Sequence, residues 1–295
     1  VTFFSIIVPT YNRAHMIRRT LDSVLNQSFK DFELIVVDDG STDNTEEIVA
    51  SYNSPQILYF KKENEERGIA RNFGLEKAQG RYVNFFDSDD VMYPHHLEKA
   101  FENLEALSSP KVLCFQFDYL DSEGKLTGTK TGFDGDITTK VLESNFIHLN
   151  GAFIARDILD SDLKFCEDRK FKVSEDWYFF VRISMKHSIL GIQESTSGYY
   201  IHEGSAMSSI SSEEYQVAYG YFESLFSEQA YRNPKAVRKV KSEFYSMTAL
   251  ALALENKPMQ AIRFLVNSFF QEPETIFRKR TLGVIKNLFY AERRG

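Results

Sequence analysis

Four short apolar runs within the first 86 residues constrain this chain more than any other feature. They are FFSIIVP (3–9), FELIVVDDGS (32–41), QILYFKK (56–62) and RYVNFF (81–86), each separated from the next by a segment of helical spacing. Short runs rich in β-branched and aromatic residues read as buried strands. The first intervening segment, RAHMIRRTLDSVLNQ, spaces Met16, Ile17, Thr20, Leu21, Val24 and Leu25 as one helical face. The second, DNTEEIVASY, opens with Asp43 and carries Glu46 three residues on, which predicts a capping box. The third is GIARNFGLEKAQ. Strands alternating with helices require an α/β fold, a mostly parallel central sheet flanked by helices and joined by right-handed crossovers.

Such sheets bind ligands beyond the carboxyl ends of their strands. Three of the four strands end in chemically loaded residues: Pro9-Thr10-Tyr11-Asn12, Asp38-Asp39-Gly40-Ser41 and Asp87-Ser88-Asp89-Asp90. They are predicted to converge on one crevice. Carboxylates pressed against a buried strand end repel one another. Capping the helix that starts near Pro94 would use one or two of them, whereas a hard divalent cation, Mg2+ or Mn2+, satisfies the cluster. Asp43 serves as the cap of its own helix, so Asp38 and Asp39 are spare to accept hydrogen bonds from a base or ribose. Neither G-x-G-x-x-G nor G-x-x-x-x-G-K-[ST] occurs, so phosphates must be held by metal rather than by a glycine loop. Arg67 and Arg71 at a helix start suit an anion, although a solvated helix face explains them equally.

Later in the chain, Glu175 and Asp176 follow Ser174, the expected cap of the helix in SEDWYFFVRISMKH. The helix dipole favours acids there by about 0.3–1 kcal/mol each, which accounts for both. The same field keeps Asp176 ionised, as a general base requires. His202 reads as a third metal ligand, a phosphate contact or an ordinary histidine at a strand end. KVLCFQFDYL reads as a strand, residues 121–136 as a mobile Gly/Thr-rich connection, and SILGIQESTSGYYIH as a strand pair. NGAFIARDIL reads as a strand turning into a helix. From Ser211 the pattern is helical, punctuated by Pro234, Pro258 and Pro273. The expected division is a catalytic domain over 1–210 and a helical region over 211–295, with an acceptor, membrane or oligomer role open for the latter.

Composition narrows the partners. A net charge of −7 argues against nucleic acid. Cys114 and Cys166 are too few and too scattered for a disulfide framework or a zinc site. No apolar run is long enough to span a bilayer, and no leader-like segment opens the chain, so the cytosol is expected. Residues 276–295 carry six basic residues against the single acid Glu292. With Ile276, Phe277, Leu282, Ile285, Leu288 and Phe289 among them, this tail either packs on the preceding helices or lies on an anionic membrane face. Homo-oligomerisation is left open.

Four motifs in order, SIIVPTYNR, VVDDGSTDNT, GIARNFGLEKAQGRYVNFFDSDD and EDWYFFVR, resemble those of the family 2 glycosyltransferases of GT-A fold, over roughly the first two thirds of the chain. The resemblance implies transfer of a hexosyl or N-acetylhexosaminyl group from a nucleotide-diphosphate sugar, a UDP-sugar foremost, with inversion at the anomeric carbon. The acceptor it implies is a hydroxyl of a glycan or lipid-linked molecule, in bacterial surface polysaccharide or lipopolysaccharide assembly. By the same likeness Pro9, Thr10, Tyr11, Arg13, Asp39, Arg71, Asp87 and Ser88 bind the nucleotide sugar, with Tyr11 against the base. Asp87 and Asp89 form the D-x-D motif that holds Mn2+ or Mg2+, Asp89 directly, with His202 as a further ligand. Asp176 is the implied base and Glu175 its neighbour. Arg67 stands where the family often has a small residue, and no Q-x-x-R-W follows Glu175-Asp176, which implies a non-processive enzyme. A phosphatase of the haloacid dehalogenase type would carry D-x-D on its first strand, and a nucleotidyltransferase a glycine-rich loop there; PTYNR is neither. A non-catalytic nucleotide-sugar-binding or interaction module of the same fold is the alternative, against which the intact Glu175-Asp176 pair counts.

Overall fold

The chain alternates as expected through β1 (Phe4–Thr10), α1 (Ile17–Leu25), β2 (Phe32–Asp38), α2 (Thr45–Ala50), β3 (Ile57–Lys61), α3 (Arg67–Lys77) and β4 (Tyr82–Phe85) in the computed structural model, which describes residues 2–159, 162–201, 210–227 and 233–291. β1 pairs in parallel with β2 on one side and β4 on the other, and it is buried along its whole length because both faces of the sheet are covered there. β3, at the sheet edge beyond β2, mixes half-buried and exposed residues and has none that is fully buried. Gly74 lets α3 lie on this sheet: a Cβ there would stand 2.4 Å from Cγ2 of Ile7 and 3.2 Å from Cγ2 of Val37.

Next come β5 (Val91–Met92), α4 (His96–Ala106), β6 (Val112–Leu120), β7 (Leu126–Lys130), β8 (Gly135–Asp136), α5 (Thr138–Glu143), β9 (Ala152–Ala155), α6 (Glu175–Ser184) and β10 (Leu190–Tyr200). The sheet runs β3-β2-β1-β4-β9-β6-β10-β5, with β7 added to β6 and β8 to β10. The four amino-terminal strands and the β6–β10 pair are parallel, whereas β9 runs antiparallel to both β4 and β6.

Three local expectations are corrected. Residues 121–136 are not an irregular connection: β7 forms a hairpin with β6, closed by a turn in which Asp121 accepts from the N–H groups of Glu123 and Lys125. SILGIQESTSGYYIH is not a strand pair but one strand, β10, kept beside β6 by register shifts between Ile192 and Ser197. The expected capping box at α2 does not form. Asp43 instead accepts from the Thr45 N–H and from the Ala14 N–H of the neighbouring loop, and Glu46 pairs with Lys61.

The chain groups into two compact units. The first holds residues 1–138, 146–169 and 182–203, and therefore the sheet. The second holds 139–145, 170–181 and 204–295. Its helices are α7 (Ser212–Leu225), α8 (Pro234–Leu254), α9 (Pro258–Gln271) and α10 (Lys279–Ala291). α7 starts at a complete capping box in which Ser211 accepts from Glu214 N–H and the Glu214 carboxylate accepts from Ser211 N–H. α8 starts at Asn233, whose side chain caps Lys235 and Ala236, with Pro234 in the first turn where no N–H is needed. Trp177 is buried among Phe222 of α7 and Phe244 of α8, and its indole N–H donates to Val141 O at 2.7 Å. The tail divides. Thr281 and Val284 are buried, Leu288 packs against the α8–α9 core, and Ile276, Phe277, Leu282 and Ile285 are exposed.

Candidate active site

β2, β1 and β4 are neighbours in the sheet, so their carboxyl-end loops emerge side by side. The first two loops are tied together. Asp39 N–H donates to Thr10 O at 2.8 Å, Asn12 N–H to Ser41 Oγ at 2.9 Å, and Thr42 N–H to Asn12 Oδ1 at 2.8 Å. Asn12 adopts φ 51°, a left-handed turn that asparagine tolerates. Gly40, at φ 85°, passes so close to the next loop that a Cβ would meet Asn64 N at 2.9 Å. The result presents the Tyr11 ring at 47% exposure beyond a buried strand. Pro9 is the penultimate residue of that strand, and Thr10, which ends it, buries Oγ1 without a hydrogen-bond partner among the described residues.

The two acids at the end of β2 have different fates. Asp38 is not spare: its buried carboxylate accepts from Ser41 N–H at 2.7 Å and from the Tyr59 hydroxyl at 2.6 Å. Asp39 pairs with Lys62 at 2.8 Å and accepts from the N–H groups of Glu65 and Glu66 at 3.1 and 3.0 Å. It thereby pins the loop leading into α3.

At the end of β4, Asp87 N–H donates to Asn150 Oδ1 at 2.9 Å. Its carboxylate accepts from Arg71 at 2.9 Å and faces His148 Nε2 at 3.6 Å. Arg71 is buried, with its guanidinium 5.1 Å from the centre of the Phe165 ring. Ser88 is buried beside it in sequence. The Asp89 carboxylate faces Arg13 at 3.7 Å, and its carbonyl accepts from Arg19. Asp90 points inward and accepts from Asn150 Nδ2 at 2.6 Å and from Tyr200 N–H at 2.9 Å.

Electrostatics separates these acids. Burial alone would raise the Asp87 pKa, but Arg71, then His148 and Arg67, outweigh it and hold the group below the usual carboxylate range. Among the described residues Asp90 has no such cation. Burial first, then repulsion from Asp89 and Asp87, places it well above that range despite its two hydrogen bonds. Burial lowers the His148 pKa, with Asp87 opposing.

Ligand atoms of Asp87, Asp90 and His148 all lie within 4.8 Å of one another. Two carboxylates and an imidazole are a donor set that Mn2+ accommodates well and Mg2+ less readily. Asp90 is a carboxylate short of positive charge, and a divalent cation supplies it in place of a proton. The residues present therefore fit the metal. Asp90 and His148 were not singled out as ligands from sequence, and Asp89 lies outside this triplet, its carboxylate turned to Arg13. His148 stands 61 residues beyond Asp87 with no motif around it, so spacing gave no signal. His202 lies outside the described residues.

Glu175 and Asp176 belong to the second unit, at the start of α6. Ser174 precedes the helix at φ 60°, and its carbonyl accepts the Tyr178 N–H. Glu175 is buried and Asp176 half-buried. The Asp176 carboxylate accepts from Trp177 N–H at 2.7 Å and from Asn145 Nδ2 at 3.4 Å.

Residues 5–160, more than half of the chain, match the family model described as glycosyl transferase family 2. The chain belongs to glycosyl transferase family 2. An uncharacterised glycosyltransferase from Rickettsia bellii is 31% identical over 198 residues, which is 65% of this chain and 28% of that protein. TuaG of Bacillus subtilis, a glycosyltransferase assigned provisionally to teichuronic acid biosynthesis, is 45% identical over 102 residues, 33% of this chain and 40% of that one. The chain thus spans about a third of the length of the first curated relatives it matches. Among solved structures, S. aureus TarS 1–349 in complex with UDP-GlcNAc superposes with a TM-score of 0.69 at 24% identity, covering 99% of this chain and 90% of that one. The fold is GT-A, as the motif order led one to expect. No helix among the described residues is long and apolar enough to cross a membrane.

Proposed function

We propose that this glycosyltransferase moves a hexosyl or N-acetylhexosaminyl group from a UDP-sugar to a hydroxyl of a glycan or lipid-linked acceptor, with inversion, in bacterial surface polysaccharide assembly. The observation that carries the reading is the acid cluster at the end of β4, buttressed by Arg71, Arg13 and His148. One relative provisionally named for teichuronic acid synthesis and a fold neighbour solved in complex with UDP-GlcNAc support the donor and pathway class.

Tyr11 offers the exposed ring on which a nucleobase stacks, with Pro9, Thr10 and Asp39 forming the strand ends beneath it. Arg71 fixes Asp87, while Arg13 and Ser88 complete the diphosphate side. Asp87, Asp90 and His148 would hold Mn2+ or Mg2+, with Asp89 at the diphosphate side. When bound, that ion supplies Lewis-acid stabilisation of the leaving nucleoside diphosphate. Asp176, oriented by Trp177 N–H and Asn145, takes the proton of the acceptor hydroxyl. The hydroxyl oxygen then bonds to the anomeric carbon as the bond to the diphosphate breaks. Glu175 is buried and supports the helix start rather than the proton transfer.

The test is release of nucleoside diphosphate from a panel of nucleotide sugars, with Mn2+, Mg2+ or chelator. Release should depend on metal, and Asp176→Asn should lower turnover by about 100-fold or more, the scale of general-base loss, with donor affinity little changed. Release indifferent to chelator would remove the metal from the reading. Full turnover in Asp176→Asn would reduce Asp176 to a first-turn acid.

A further inference from the structure

The second unit carries an apolar surface that none of the proposed chemistry uses. The solvent side of α9 is lined by Met259, Ile262, Val266, Phe269 and Phe270, at spacings that place them on one face. Met259 is 78% and Phe270 74% exposed, although large apolar side chains ordinarily turn inward. The opposite face of α9, with Ala261 and Ser268, is the one that packs. The next segment exposes Ile276 and, at 86%, Phe277; α10 then exposes Leu282 and Ile285.

Charge identifies the occupant. α9 and α10 contain no acidic residue, in a chain of net charge −7; the acids of this region, Glu272 and the exposed Glu274, lie in the short segment between them. Their basic residues are Arg263, Lys279, Arg280 and Lys286. Arg263 is exposed between Ile262 and Val266, and Lys279 and Lys286 share the exposed side of α10 with Leu282 at positions i, i+3 and i+7. Arg280 turns inward to Glu243 and Ser246. We propose that the outer faces of α9 and α10 form a docking surface for an anionic lipid bilayer, with the apolar side chains inserted at the headgroup boundary and Arg263, Lys279 and Lys286 against lipid phosphates. A face-to-face pairing of two copies would instead bring these basic residues together. Each basic residue at such a surface raises partitioning about fivefold, and salt removes that part.

The surface is built into a packed unit rather than into a detachable tail. Ser242 of α8 bonds Ser268 and Thr275, and Thr281 Oγ1 donates to Thr275 O, so the segments that expose these side chains are anchored beneath them. Point substitutions at exposed positions are therefore the right probe. The full chain should co-sediment with vesicles of phosphatidylcholine and phosphatidylglycerol at low salt, release at high salt, and stay in solution with phosphatidylcholine alone. Val266→Asp with Phe270→Asp, and separately Lys279→Glu with Lys286→Glu, should each weaken binding at least about tenfold with unchanged thermal melting. Three results overturn the proposal: no vesicle binding by the wild type, undiminished binding by both folded variants, or a dimer in sedimentation velocity that Val266→Asp/Phe270→Asp dissociates. The inference is independent of the transfer reading, since sugar release without vesicle binding, or the reverse, separates the two.

Discussion

Three positions apart, Asp87 and Asp90 show how neighbours rather than residue type set the chemistry of an acid. Arg71 and His148 keep the first charged, and in the second burial dominates, with no cation among the described residues to oppose it. The sequence makes the crowding of acids plain, but the partners that divide their roles, His148 and Asn150, come from a distant loop and no local pattern marks them. His96 makes the same point away from the site. It is fully buried between the rings of Phe86 and Phe153, with Nδ1 2.8 Å from Thr196 Oγ1, and burial lowers its pKa to about 3. An unfolded histidine titrates near 6.5. Between those values the unfolded chain binds a proton that the folded protein refuses, so stability must fall as pH drops from about 6.5 towards 3. The slope from this one group is about 1.4 kcal/mol per pH unit. Urea midpoints measured at steps across that window should show His96→Gln losing stability less steeply than wild type, whatever its starting stability. Parallel slopes would mean that His96 is protonated in the fold.

Elements were legible where one face or both had to be buried. β1, β2 and β4 announce themselves through continuous apolar runs because each is covered on both sides, and β10 reads as two strands because its register shifts break the pattern of alternation midway. β7 was hidden for a related reason: LTGTK lies largely exposed on β6, so no apolar alternation was needed to form it. The capping box expected at α2 failed because Asp43 has a better use, tying the loop after β1 to the loop after β2. The contact between α3 and the sheet gives this level a sharp test. Gly74 faces Ile7, which is wholly buried in β1, and a methyl group would intrude to 2.4 Å. Alanine favours helix over glycine by about 1 kcal/mol, so helix propensity alone predicts stabilisation by Gly74→Ala. Overpacking costs about 1–3 kcal/mol and should win, since Ile7 has no room to withdraw. Denaturant unfolding of the variant should show a net loss, with an unchanged slope against denaturant.

At the scale of the molecule, the chain threads between its two units, and residues 139–145 and 170–181 join the helices of the carboxyl-terminal segment rather than the sheet. Sequence pattern locates the start of α7 at Ser211, because a capping box is a local signal. It carries no mark that Trp177, 34 residues earlier, finds its ring partners in Phe222 and Phe244. A fragment ending at residue 210 retains the whole sheet and the acid cluster, yet it removes both of those rings. Trp177 is the only tryptophan, so its fluorescence reports this loss without a label. In the full chain the indole is 1% exposed and hydrogen-bonded to Val141 O, which calls for blue-shifted emission. The fragment should emit at distinctly longer wavelength and be readily quenched by iodide, while binding of a nucleoside diphosphate, carried by strand ends and the β4 acids, persists. Sugar transfer should disappear, because Asp176 adjoins Trp177 and is oriented by its N–H. Emission unchanged from the full chain would mean that α5 and the segment before α6 bury the indole without α7 and α8.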